Sequence, residues 1–385
     1  MSAIGSKGYE PKEGEQRMIE KGRISAFQMA LMMIPTIMAT AILVIPAITG
    51  KFAGRDMWIS PLLASLNGFF TVFIAYQLHR LYPKESIIEY SRHIIGQIPG
   101  KILGFVYLFV VLHTCGIIAR EYSDFFMASF FPKTPMMVIM GSMVLVCAFA
   151  VRGGVEVLGR VSQLLVPIFT VSPLLFLLLM PDLQLKNMLP IMDHGMMPSV
   201  FGASTPMAWF SEVFLISMML PLVTDHTKGR KWGMLSMLVV MILSVFVNLI
   251  AVFLLGDSVT RHSYPVFLAL KYISIAGFFE HLESFVIMIW AMGLFIKISV
   301  FYYVLVLGTA QWLRLSDYRP IVLPLGLFIV LFGIWSSSDA QELTRFLGTI
   351  EPFYLVSTFT VLPMLLLLIA IIQKRLKTKS YTIKE

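Results

Sequence analysis

Apolar windows long enough to cross a lipid bilayer recur along nearly the whole 385-residue chain. A helical crossing needs about 20 mostly apolar residues. Inside hydrocarbon every backbone N–H and C=O must find its partner within the structure, so only helices and closed barrels can span. Long continuous apolar runs, without the alternation of a barrel strand, predict an all-α integral membrane protein. Ten segments stand out, at about 24–48, 57–79, 102–125, 135–151, 157–180, 205–223, 232–255, 284–308, 319–336 and 352–373. The fourth and ninth are short. Composition agrees: 14% of residues are charged and 57% hydrophobic, against roughly 25% charged in a soluble domain. Mean hydropathy is +0.81.

The chain is basic, with a net charge of +8, and the placement of that charge rules out a nucleic-acid surface as its cause. With the N-terminus inside, 21 of the 30 Lys and Arg residues fall on one side of the ten segments and 7 on the other. Arg120 and Lys297 lie within segments. Such an excess is the positive-inside signature, and it predicts both termini in the cytoplasm. No short apolar core with a small-residue cleavage site occurs in the first 23 residues, so no cleaved signal peptide is expected. The expected organisation is a cytoplasmic segment 1–23, one membrane domain 24–373 and a basic cytoplasmic tail 374–385. Cys115 and Cys147 both sit in apolar runs and are read as packing residues.

Two segments carry faults. In "MMIPTIMATAILVIP", Pro35 and Pro46 frame a small, Thr-containing middle; in "TPMAWFSEVFLISMMLP", Pro206 and Pro221 frame Ser211 and Glu212. Proline removes a helical hydrogen bond and clashes with the preceding turn. Matching faults in the first and sixth of ten segments predict two five-span halves, about 24–180 and 205–373. These start on opposite sides and so form an inverted repeat with broken helices one and six. Proline is also common in membrane helices generally, and Pro167, Pro173 and Pro363 occur in other segments here. Of two longer outer loops, Pro181–Ser204 and Asp257–Glu283, the second contains "YPVFLALKYISIAGFF", which suits a short helical hairpin over the outer mouth or a helix resting on headgroups.

Ionisable residues at membrane depth are costly and mark polar cavities or ion paths. Glu212 is the foremost candidate, as a proton carrier or a partner for freed backbone groups. Lys297, in the middle of segment eight, would pair with a carboxylate or supply a fixed positive charge. Phe109, His113 and Ile117 share one face of segment three, and Ser299 and Tyr303 share one of segment eight. A lone membrane histidine also serves as a structural hydrogen-bonder. Arg120, Glu121 and Asp124, near the end of segment three, are read as self-paired and structural. Asn67 and Asn248 are expected to bond between helices. No phosphate-binding glycine loop, nucleophile elbow or metal-ligand spacing appears. Neither a cofactor, a metal nor an enzymatic activity is expected.

The stretches "RISAFQMALMMIPTIMATAILVIPAI", "AREYSDFFMASFFPKTP" and "WAMGLFIKISVFYYVL" resemble the spore germination permease family, the B subunits of nutrient germinant receptors. The resemblance runs from about Arg17 to the tail. It implies membership of the amino acid–polyamine–organocation superfamily, whose LeuT-like fold is the five-plus-five inverted repeat. It further implies a receptor subunit in the spore inner membrane that binds a small nutrient such as an amino acid. An A subunit and a C-subunit lipoprotein would be its partners. By position the pocket would comprise Ala39, Thr40, Ala41 and Ile42; Phe109 and His113; Trp209, Phe210, Ser211 and Glu212; and Ser299 with Tyr303. The superfamily often has a glycine pair at the first break, where this chain has Ala39-Thr40-Ala41. A proton- or sodium-coupled amino-acid transporter and a germination-gated channel are the alternative readings.

Overall fold

The computed structural model describes residues 19–271 and 282–382, and within these it is helical apart from turns and one isolated parallel bridge. The long helices are α1 (Ala26–Ala53), α2 (Ile59–Leu81), α4 (Gln97–Ser129), α5 (Met136–Arg152), α6 (Val155–Val171) and α10 (Gly229–Leu255). They continue with α12 (Leu282–Leu313), α13 (Val322–Trp335) and α16 (Leu362–Thr382). Shorter ones lie between: α3 (Ile87–Ile95), α7 (Met197–Gly202), α8 (Ser204–Ser211), α9 (Ile216–Met219), α11 (Pro265–Lys271), α14 (Ala340–Thr349) and α15 (Glu351–Val356). Eight helices among the described residues are long and apolar enough to cross a membrane. A ninth results if Arg319–Trp335 and Ala340–Thr349, bent by 97°, count as one span. The expected fourth segment, α5, has 17 residues, and the expected ninth, α13, has 14. The count of ten therefore rests on these two short helices. Residues 272–281 of the stretch 257–283, where the hairpin is expected, lie outside the described residues; the part just before them forms α11.

Local chemistry sets the helix ends. Ser25 starts α1 with a capping box: its hydroxyl accepts from the Gln28 N–H at 3.1 Å, and Gln28 Oε1 accepts from the Ser25 N–H at 2.9 Å. Ser86 and Glu89 start α3 in the same way. Asp339 caps α14, its Oδ1 accepting from the N–H groups of Gln341 and Glu342, each at 2.8 Å.

α1 is the centre of the bundle. Nearly all of its residues are buried, and it packs on α6, α8, α10 and α12. A membrane helix buried all round has no lipid face, and its polar residues meet other helices. Thr49 donates to Asn248 Oδ1 on α10 at 2.8 Å, and Asn67 of α2 donates to the Met207 carbonyl on α8 at 3.1 Å. The two cysteines are buried, free and unpaired.

The first and sixth segments do not behave alike, which corrects the expectation of a break in each. α1 runs as one helix through both Pro35 and Pro46. Each proline removes one bond at its own turn, and the enclosing helices hold the rest in register. The sixth segment is irregular. After α8 the chain tightens into a 3-10 turn at Glu212–Leu215, resumes as α9, and tightens again at Leu220–Leu222. A second irregularity faces it: Ser357–Val361 is a π-helical turn between α15 and α16, packed against the Glu212–Leu215 turn. Short π insertions and 3-10 stretches inside long helices often mark functional positions.

Candidate functional site

The 3-10 turn that interrupts the sixth segment begins at Glu212, and this carboxylate meets the ammonium of Lys297 from α12. Lys297 Nζ lies 2.9 Å from Glu212 Oε2 and donates to Thr40 Oγ1 of α1 at 3.0 Å. Both charged side chains are 1% exposed. Two charges removed from water are tolerable only when paired with good geometry and further hydrogen bonds. Here the pair supplies one charge for the other and Thr40 adds an acceptor. Three helices that are distant in sequence thus converge on one ion pair.

A cavity of about 750 Å³ leads to this point. Its rim includes Lys51, Arg261, Gln341 and Arg345, all exposed, and its inner lining includes Thr40, Leu294 and Glu121. Thr40 and Lys51 stand eleven residues apart on the continuous α1, so the cavity follows that helix for about 16 Å at 1.5 Å per residue. α14 forms one wall through Leu343 and Leu347, which pack on Ile117 of α4. On α4, Arg120 is held by Asp124 at 3.0 Å and donates to the Ser337 carbonyl at 3.0 Å. That bond ties α4 to the turn between α13 and α14.

The site residues expected from sequence separate into three groups. Thr40, Glu212 and Lys297 meet directly. Trp209 is close by, its indole N–H donating to Glu351 Oε2 at 3.0 Å; Glu351 is 3% exposed at the start of α15. Ala39, Ala41, Ile42, Phe210 and Ser211 are buried in the same helices without lining the cavity. The remaining residues lie elsewhere. Phe109 is 45% exposed on the periphery, and His113 Nδ1 is 3.1 Å from the Tyr354 hydroxyl, boxed by Phe332 and Phe346. Ser299 is buried within α12, outside the cavity lining. Tyr303 donates to Glu20 Oε2 at 3.1 Å, in the segment that precedes α1.

Two carboxylates were not read as site residues from sequence. Glu121 lines the cavity, and the self-pairing expected at this end joins Arg120 to Asp124. Its position was signalled only by lying one turn beyond Ile117, which packs on the cavity wall. Glu351 stood one residue outside the expected tenth segment. Among the described residues no His, Cys, Asp and Glu group could hold a metal ion.

Known proteins resemble this chain in sequence or in fold. Spore germination protein KB of Bacillus subtilis (strain 168) is 25% identical over 371 residues, 94% of this chain and 98% of that protein. Spore germination protein YndE of the same strain is 25% identical over 365 residues, 92% and 98% of the two chains. Among solved structures, MhsT in complex with L-phenylalanine superposes with a TM-score of 0.62 at 14% identity, over 92% of this chain and 99% of that one. A substrate-bound, outward-open Na+-coupled sialic acid symporter gives 0.60 at 12% identity, over 88% and 80%. At such identities the likeness shows the fold alone, a LeuT-like transporter scaffold in a multi-pass membrane protein. The family model described as "Spore germination protein" matches residues 23–341, and the chain belongs to that family.

Proposed function

We propose that this chain is the ligand-binding membrane subunit of a spore nutrient germinant receptor, a non-enzymatic sensor built on a transporter scaffold. The observation that carries the reading is the cavity that descends beside α1 to Thr40 and the buried Glu212–Lys297 pair. A pocket of that volume suits a small molecule, and an amino acid is the ligand class favoured here. The chain would reside in the spore inner membrane with both termini in the cytoplasm, assembled with an A subunit and a C-subunit lipoprotein. Ligand binding would shift the packing of the sixth segment and α15 against α1 and α12, and the partners would read that shift.

Coupled transport is the competing reading, and the ion pair bears on it. A fixed ammonium between α1, the sixth segment and α12 repels a cation at the same place, which disfavours sodium as a coupling ion there. Deleting the gene in its native spore former tests the proposal. Spores should lose the absorbance drop of germination toward at least one nutrient class and regain it on complementation. Unaltered germination toward every nutrient tested would contradict the reading.

A further inference from the structure

Resting on that reading of the cavity, we propose that its ligand enters ammonium first, with Glu121 as the carboxylate that receives it. The ligand class is then a primary amine or the amino end of a zwitterion, not a carboxylate led inward.

The inner end of the cavity offers an anion nothing to bind. α1 is continuous through Ala39-Thr40-Ala41, so its N–H groups are spent within the helix. Lys297 is the cation at that depth, and it is engaged by Glu212 and Thr40 and 1% exposed. What the lining does offer is acceptor capacity. Glu121 lines the cavity, and among the described residues no hydrogen bond is made to its carboxylate. Its neighbour Asp124 is satisfied by Arg120, and Glu351 by the Trp209 N–H. Among the described residues no ion pair is made to Glu121 either, so a ligand cation would meet an unengaged carboxylate in the lining.

The rim has the opposite sign. Lys51, Arg261 and Arg345 all line the outer part of the cavity. A basic rim over an acidic interior sets up a field along the cavity that turns a zwitterion amino group inward and leaves its carboxylate toward the rim. A charge-assisted bond from ammonium to carboxylate fixes the inner end.

The test uses the full-length protein in lipid nanodiscs, with ligand-induced thermal stabilisation and equilibrium binding as readouts. The probes are the twenty standard L-amino acids, the matching decarboxylated amines, the N-acetylated amino acids and glucose. The proposal expects stabilisation by one or more amino acids and by the matching amine, and none by the N-acetyl derivative. Glu121→Gln should then weaken amino-acid and amine binding by on the order of tenfold to a hundredfold, and Glu121→Asp should restore part of it. Because the N-acetyl comparison needs no substitution, the proposal stays testable if either variant folds poorly. Stabilisation by N-acetyl derivatives, or amine binding unchanged in Glu121→Gln, would overturn the ammonium assignment while leaving a small-molecule receptor. Stabilisation by glucose alone would do the same. No stabilisation by any probe would overturn both the assignment and the receptor reading.

Discussion

At the scale of single residues, the Glu212–Lys297 pair has the largest energetic stake. Each charge is 1% exposed, so removing one strands the other in a low-dielectric interior. Glu212→Gln and Lys297→Met should each destabilise the protein by about 3–5 kcal/mol. The double variant should lose less than the two singles combined, with a coupling of about 0.5–3 kcal/mol. Denaturation of the purified protein in detergent measures all three. Strict additivity would mean that the pair contributes nothing as a pair. Glu351 gives a milder case: Trp209→Phe removes the one hydrogen-bond donor to its carboxylate among the described residues but keeps an aromatic ring. It should cost roughly 1–3 kcal/mol for the carboxylate left without a partner, measured in the same assay.

The helices themselves were legible because apolar length and charge placement are local properties, and the long helices follow the segments read from sequence. The continuity of α1 was not legible. Pro35 and Pro46 each signal a lost bond, but whether the chain then unwinds depends on what surrounds it. Here α6, α8, α10 and α12 enclose it, and Thr36 and Thr49 also bond back to the Met32 and Ile45 carbonyls, at 2.7 and 2.8 Å. The sixth segment, with similar prolines, tightens at Glu212 and meets the π turn at Ser357–Val361. Of the candidate site, the costly residues Glu212 and Lys297 stood out because membrane burial of charge is rare. Phe109 and Tyr303 were grouped by helical spacing alone, which fixes a face but not the direction that the face looks.

Two contacts between elements yield predictions. α4 and α13 touch backbone to backbone: a methyl group on Gly116 would stand 2.9 Å from the Gly333 nitrogen, and one on Gly333 would stand 2.9 Å from the Gly116 carbonyl. Small residues permit such close helix approach in membranes. Gly333→Leu should force the pair apart and lower the thermal midpoint in detergent, whereas the same change at Gly141, where a methyl group would meet nothing within 4 Å, should be tolerated. The second contact is the strap before α1. Glu20 accepts from Tyr303 and Tyr318, each at 3.1 Å, and from the Gly22 N–H at 2.7 Å. A side chain at Gly154, where φ is +85°, would crowd its Oε2 at 3.0 Å. Ile24 then pairs in parallel with Val223, next to the end of the sixth segment. Glu20→Ala should leave the two tyrosine hydroxyls without this acceptor and loosen the strap. A cysteine placed at the buried Val223, in a background lacking Cys115 and Cys147, should then react faster with a water-soluble maleimide. An unchanged rate would show that Glu20 does not hold that end closed.

Across the whole molecule, the strap lies at the end of the bundle where α1 begins, while the cavity opens at the end that bears Lys51, Arg261 and Arg345. With both termini in the cytoplasm, as proposed, the strap end is the cytoplasmic one. Cysteines near Lys186 and Arg261 should therefore label from outside, and one within Lys228–Lys231 only after the membrane is opened; the reverse pattern would overturn the orientation. A cavity that opens at one end serves a receptor and a transporter equally well, and the difference lies in whether bound solute ever leaves on the other side. Binding and uptake of a radiolabelled amino acid that stabilises the protein, measured in the same proteoliposomes with and without a proton or sodium gradient, separates the two. The account predicts saturable binding near one molecule per chain with no time-dependent accumulation in the lumen. Accumulation beyond that stoichiometry, driven by either gradient, would contradict it.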